Sequence, residues 1–228
     1  SGVDMTISKN NIVKRDIIAG MRVEGKFLRY DPNRTRLFFA PTGRALRMGQ
    51  GYFSVYQIFF PFVAVGVTDY LTLAGGLSLF PFAENQLLYL APKITPLQME
   101  KFDLSAGVLF IHLPGEDDAV GIVYGVSTYG TRKASLTLGL GFAYAGGDIA
   151  DKPVFAIGGE YQTSGNTKII SENWIIPDSD VQFLSFGWRF FGENLAADFG
   201  LVYPAGSDSK GFPFIPWVGF AYNFGKIK

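Results

Sequence analysis

Few residues of this 228-residue chain have the types needed for reaction chemistry. It contains one histidine, His112 in VLFIHLPG, and no cysteine. A thiol nucleophile, a disulfide framework and a cysteine-based zinc site are excluded, and the His/Cys content is too low for a metal cluster. A Ser-His hydrolase needs its histidine paired with serine and oriented by a polar partner. His112 has no serine two residues on, and by alternation it shares an apolar face with Val108 and Phe110. It reads as an interfacial histidine. Thr128-Tyr129-Gly130 resembles a chromophore-forming tripeptide, but that chemistry needs a central helix and this segment reads as the end of a strand. GLGFAYAGG has no Gly-Lys-Ser/Thr and so is not a phosphate loop. No catalytic residue, cofactor or metal is assigned, and the chain is expected not to be an enzyme.

What remains is charge in an apolar setting. Counting alternation along each run turns Lys93, Glu160, Arg189 and Asp198 inward, with Arg36 beside them. Glu172, in KIISENWII, fits either face. Counting back from the turns sets Arg189 opposite Asp198, and Glu160 near residue 170. Ionisable groups inside a lumen either cross-link a filled interior or line a water path, and both readings stay open. A second set, Glu116, Asp117, Asp118, Asp148 and Asp151, falls between strands. These residues are solvated loop charges, or an acidic mouth that gathers cations.

The elements that position these charges follow from a period of two. In ASLTLGLGFAY, Leu136, Leu138, Leu140, Phe142 and Tyr144 alternate with Ser135, Thr137, Gly139, Gly141 and Ala143. YLTLAGGLSLF and VQFLSFGWRFF repeat the pattern. In AVGIVYGVSTYG the same rule assigns Val120, Ile122, Tyr124 and Val126 to the bulky face. Tight turns are expected near Asp69, Lys101, Lys133, Gly165-Asn166 and Glu193-Asn194, and longer connections at 42–51, 83, 115, 147, 178 and 207. Thr35–Pro41 adds one strand to the runs after Tyr52, giving about twelve in an antiparallel meander.

The face opposite the bulky residues is Gly, Ser, Ala and Thr, and charged residues are only 18% of the chain. A water-exposed sheet face would carry Lys and Glu. The composition fits large residues turned to lipid and small ones to a lumen, with runs of the length a tilted membrane strand needs. Such a sheet must close, because an open edge in lipid leaves backbone groups unpaired. The expected fold is all-β, a closed up-and-down transmembrane barrel over residues 35–228. It is preceded by a segment, 1–34, that is a short β unit, a plug or the remnant of a periplasmic domain.

The closing strand WVGFAYNF, through Gly219, Tyr222 and Phe224, resembles the C-terminal assembly signal of bacterial outer-membrane β-barrel proteins. Here the usually polar first position is Trp217, and four residues follow the last aromatic. NRTRLFFAPTGRALRMGQGYFSVYQIFFPFVAVGVTD also resembles an uncharacterised family of such barrels. The resemblance implies the bacterial outer membrane as location, and membrane lipid and the barrel assembly machinery as partners. The expected role is a narrow passive pore for ions or small solutes, or a structural barrel. The alternatives are a lipid-active enzyme and a soluble lipocalin-like carrier. The neutral net charge gives no ground for nucleic-acid binding.

Overall fold

The structure, a computed structural model, describes residues 19–23, 25–83, 85–112, 115, 119–177, 179–206 and 212–225. Gly20–Val23 (β1) and Lys26–Arg29 (β2) form a separate hairpin. One antiparallel sheet holds the rest: β3 (Gly51–Tyr56), β4 (Phe60–Gly66), β5 (Leu71–Leu77), β6 (Leu88–Leu90), β7 (Lys93–Gln98), β8 (Phe102–His112) and β9 (Ala119–Gly130), then β10 (Ala134–Ala145), β11 (Asp148–Ile149), β12 (Val154–Ser164), β13 (Thr167–Ile175), β14 (Gln182–Phe191), β15 (Leu195–Ala205) and β16 (Ile215–Phe224). β6 and β7 both lie between β5 and β8 and make one wall strand, interrupted at Ala91-Pro92. β11 only extends the hairpin from β10. The wall therefore has twelve strands, closed where β16 pairs with β3 from Phe224↔Gly51 to Gly219↔Tyr56. Closure removes the sheet edges that lipid could not hydrate, so the terminal strand is a seam.

The two faces divide as alternation requires on most strands. Leu136, Leu138 and Leu140 are exposed on the outer surface, while Thr137 between them is buried. β9 departs from this. Ile122, Tyr124 and Val126 line the lumen, and Val123 and Tyr129 are the exposed outer residues, the reverse of the sequence expectation. The large inward residues fit because glycines flank them. A Cβ on Gly107 of β8 would lie 2.5 Å from the Tyr124 hydroxyl, and one on Gly141 of β10 would lie 2.7 Å from Ile122.

The tight turns lie at one end, at 67–70, 99–101, 131–133, 165–166 and 192–194, and this turn end also holds the last residues of β16. The other, loop end carries the connections 57–59, 78–87, 113–118, 146–153, 176–181 and 206–214. Two expectations are corrected. Thr35–Pro41 is not a wall strand: it is a tight loop inside the barrel, with one bridge between Arg36 and Pro41. Leu37, Phe38, Ala40, Ala45 and Leu46 around it are buried. The connection at 42–51 is not at the loop end; it continues this inner segment to β3. The missing strand is supplied by a hairpin within 51–66. Its turn, Gln57-Ile58-Phe59, holds Gln57 at φ 49° and Ile58 at φ 67°, without glycine, asparagine or aspartate to announce it.

Small wall residues make room for the inner segment. Leu37 reaches the position a side chain on Gly158 would occupy, and the Phe38 ring lies against Gly200 and Trp217. Gly43 lies close against the wall backbone and is held there by two wall hydroxyls. Its N–H donates to Thr128 Oγ1 at 2.8 Å and its carbonyl accepts from Ser105 Oγ at 2.8 Å.

Candidate functional site: a filled lower lumen beneath an apolar vestibule

The charged side chains of the wall converge on the inner segment. Arg189 of β14 donates from Nε to Asp198 Oδ1 of β15 at 2.6 Å, on the cross-strand rung the two residues share. Its guanidinium also reaches Asp31 at 3.2 Å and the carbonyls of Asn33, Arg36 and Leu37. Arg36 of the segment returns to Asp198. Glu160 of β12 accepts from Arg44 of the segment and forms an ion pair with Lys168 of β13 at 3.0 Å. Lys168 bridges on to Asp31 at 3.2 Å. Lys93 donates to the carbonyls of Thr42 at 2.9 Å and Arg44 at 2.7 Å. Glu172, whose face alternation left open, points inward. It accepts the backbone N–H groups of Phe39 and Ala40 at 2.9 and 3.0 Å and the Trp174 indole N–H at 2.8 Å.

All these groups are buried. Such charges are tolerated out of water only when paired and hydrogen-bonded, and here the pairing partner is largely the inner segment. Burial works against the Asp31 carboxylate, yet Lys168 and Arg189 outweigh it and hold its pKa well below the usual carboxylate range. The segment is also anchored below. Arg29 N–H donates to the Gly165 carbonyl in the β12–β13 turn at 2.9 Å, and Gln162 Nε2 donates to the Arg29 carbonyl at 3.0 Å.

Sequence reasoning missed Asp31, Arg44 and Lys168. Lys168 had a signal, since it shares parity with Ile170 and Glu172. Asp31 lies in a stretch with no period, so no face could be assigned, and Arg44 lies in 42–51, which was expected to be a loop-end connection. Of the acidic set, Asp148 and Asp151 are exposed at the loop end, while Glu116, Asp117 and Asp118 lie outside the described residues. His112 is exposed on the outer face at the loop end of β8. Gly219 is buried, and Tyr222 and Phe224 are exposed on the outer face of the seam strand. Among the described residues no group of His, Cys, Asp and Glu has metal-binding geometry.

Above the salt-bridged layer the lumen changes character. A cavity of roughly 410 Å³ opens toward the loop end, walled by Phe38, Phe39, Tyr56, Phe60, Tyr89, Trp174 and Trp217 among others. Phe62 and Tyr89 stack at 6.0 Å beside it, and Trp217 lies 6.1 Å from Tyr56. Among the described residues Glu172 is the one carboxylate or cation on its wall, and its oxygens are already taken by the three N–H groups above. The chamber can thus hold apolar or aromatic matter by burial and ring contact, and it offers little to an ion.

A closed twelve-stranded antiparallel barrel with an apolar outer belt, a polar lower lumen and both described chain ends at the turn end has the fold of bacterial outer-membrane β-barrels. The KdgM porin, solved in complex with disordered oligogalacturonate, superposes with a TM-score of 0.58 at 10% identity, covering 78% of this chain and 99% of that one. A loop-deletion mutant of OmpT, an outer-membrane protein of Vibrio cholerae, gives 0.43 at 11% identity, covering 72% of this chain and 62% of that one. No protein-family model matches the chain, and no curated protein matches it.

Proposed function

We propose that this chain is a porin-like barrel held shut by its own residues 30–50, which admits small apolar solutes to the loop-end vestibule and passes them on only when that segment moves. One observation carries the reading: an aromatic chamber lies directly above a segment salt-bridged to the wall from β12 to β15. An open ion path would need water where Arg36, Arg189 and Asp198 instead bond to one another. By the usual arrangement of this class, short turns and termini are periplasmic and longer loops external. The vestibule then faces outward, residues 19–34 enter from the periplasmic side, and the seam strand with Gly219, Tyr222 and Phe224 presents the assembly signal. The exposed Asp148 and Asp151 would gather cations at the external rim. A non-enzymatic role is supported by His112, which faces away from the vestibule on the outer surface.

Planar-bilayer conductance and binding of the fluorescent apolar probe N-phenyl-1-naphthylamine test this together. The expected result is saturable probe binding with little steady current. A large steady current in the wild type overturns the closed state, and absence of probe binding overturns the vestibule.

A further inference from the structure

The wall is not equally tall all round. β8 to β15, leaving aside the short β11, run 9–12 residues each, whereas β3, β4 and β5 have six, seven and seven. At about 3.3 Å per residue and a tilt of about 45°, six or seven residues rise roughly 14–16 Å, while the apolar band of such a barrel is about 25 Å tall. The deficit lies wholly at the loop end, because β3 and β16 are level at the turn end through Phe224↔Gly51. The β3–β4 turn therefore lies at hydrocarbon depth. Its composition agrees: Ile58 is 69% exposed and Phe59 is exposed beside it.

Above this turn the wall has a notch. β16 stays paired with β15 out to Ile215, but on its β3 side the last rung is Gly219↔Tyr56. Beyond that rung, among the described residues, Gln57 alone reaches across: its N–H donates to the Val218 carbonyl, its Oε1 accepts from the Val218 N–H and its Nε2 donates to the Pro216 carbonyl. On the other flank the regular β4–β5 ladder ends at Phe62↔Gly76 and the carbonyl of Pro61 accepts the Tyr89 hydroxyl, while Leu79 N–H donates to the Phe59 carbonyl at 2.7 Å and Phe80 packs on Phe59 and Phe60, so this flank is closed and the gap lies between it and Ile215–Trp217. Among the described residues no hydrogen bond or ring contact joins Ile215–Trp217 to the 78–87 loop. Gln57, Tyr89 and Trp217, which frame the notch, also line the vestibule. The residues outside it are apolar: Phe82 and Phe212, each within a Phe-Pro-Phe motif, are fully and 75% exposed.

We propose that this notch is a lateral portal through which a lipophilic molecule, an alkyl chain or an apolar ring dissolved in the outer leaflet, passes directly between the bilayer and the vestibule. The proposal rests on the vestibule reading above and adds the route and the ligand class. The physical reason for the route is solvation. A molecule of this class resides in lipid, and a side passage spares it the transfer into water that access from above would require. A second copy of the chain seated on the exposed phenylalanines would close the notch, and the test separates that case.

Two single-tryptophan proteins serve as reporters. Trp188→Phe with Trp217→Phe leaves only Trp174, inside the vestibule. Trp174→Phe with Trp217→Phe leaves only Trp188, on the lipid face. Each is reconstituted in vesicles of phosphatidylcholine brominated on its acyl chains, a quencher that cannot leave the bilayer, and is separately exposed to aqueous acrylamide. The expected result is a loss of Trp174 emission in brominated lipid comparable with that of Trp188. Quenching of Trp174 by acrylamide but not by brominated lipid overturns the lateral route and leaves the vestibule standing. Quenching by neither overturns both. As a measurement independent of these variants, Ile58→Cys labelled with bimane should be quenched by brominated lipid, and Ile149→Cys, at the opposite rim, should not. Equal quenching of the two by acrylamide overturns the proposal, and so does a reconstituted dimer in which the bimane at position 58 is shielded from lipid.

Discussion

Arg189 ties together three stretches of chain that are far apart in sequence: its own strand, Asp198 on the next, and the carbonyls of residues 33–37. Removing one member of such a buried set leaves the others charged and unpaired, at a cost of about 3–5 kcal/mol. Asp198→Asn is therefore expected to lower unfolding stability in detergent by about that amount, because Arg36 and Arg189 both lose a carboxylate. A water-filled lumen would instead show about 0–1 kcal/mol. The pH response follows from Asp31. Its folded pKa is depressed, so its contribution is present above the unfolded carboxylate value and is lost only as the pH falls through the lower folded one. Far-UV circular dichroism and N-phenyl-1-naphthylamine binding should hold steady down to the ordinary carboxylate range, near pH 4, and change only below it. Asp31→Asn should shrink that acid transition. Alternation along the strands turned Lys93, Glu160, Arg189 and Asp198 inward, because a strand fixes every second side chain to one face, but it left Glu172 open and passed over Lys168. It said nothing about their partners, because Asp31 and Arg44 sit in a segment whose conformation is set by the lumen around it.

At the scale of elements, the inner segment is shaped by glycine where it meets the wall. A Cβ on Gly43 would lie 2.4 Å from the Asp103 carbonyl oxygen and 2.8 Å from the Thr128 nitrogen, both backbone atoms that the barrel cannot shift cheaply. Gly43→Val should push the segment off β8 and β9 and break the bonds to Ser105 and Thr128, while the twelve strands still form. The expected readout is intermittent conductance steps that the wild type lacks, with the heat-resistant barrel band unchanged on a gel. The wall was legible in the sequence to the extent that turns carried turn residues. Asp69, Lys133, Gly165-Asn166 and Glu193-Asn194 each mark a real reversal. The Gln57-Ile58-Phe59 turn did not, since its residues suit lipid more than they suit a positive φ. Thr35–Pro41 took the vacant place in the strand count because it has the length and apolarity of a strand. β9 had its faces exchanged because alternation distinguishes two faces without saying which is outside. That choice was made by Gly107 and Gly141 on the neighbouring strands.

For the whole molecule, exposure alone does not reveal surroundings. Leu138 is 48% exposed, Ile58 69% and Ile149 66%, so by accessibility the three are similar apolar surface residues. Their positions in the barrel differ. Leu138 lies midway along a twelve-residue strand, at the centre of the apolar belt. Ile149 lies in the 146–153 connection beyond the tall side of the wall. Ile58 also lies in a connection, but on the side where β3 and β4 are too short to reach the interface. A charge on the lipid face of such a barrel costs about 2–4 kcal/mol at the midplane and about 0–1 kcal/mol near the interface. Arginine substitutions at the three sites, compared by reversible urea unfolding in phosphatidylcholine vesicles, therefore map the depth of the membrane on the molecule. Leu138→Arg should lose the full midplane amount and Ile149→Arg should stay within about 1 kcal/mol of wild type. Ile58→Arg should fall clearly on the costly side of Ile149→Arg, despite sitting in a turn. If Ile58→Arg matches Ile149→Arg, the turn is at the water interface and the wall is level. If Leu138→Arg costs nothing, the apolar belt does not face lipid.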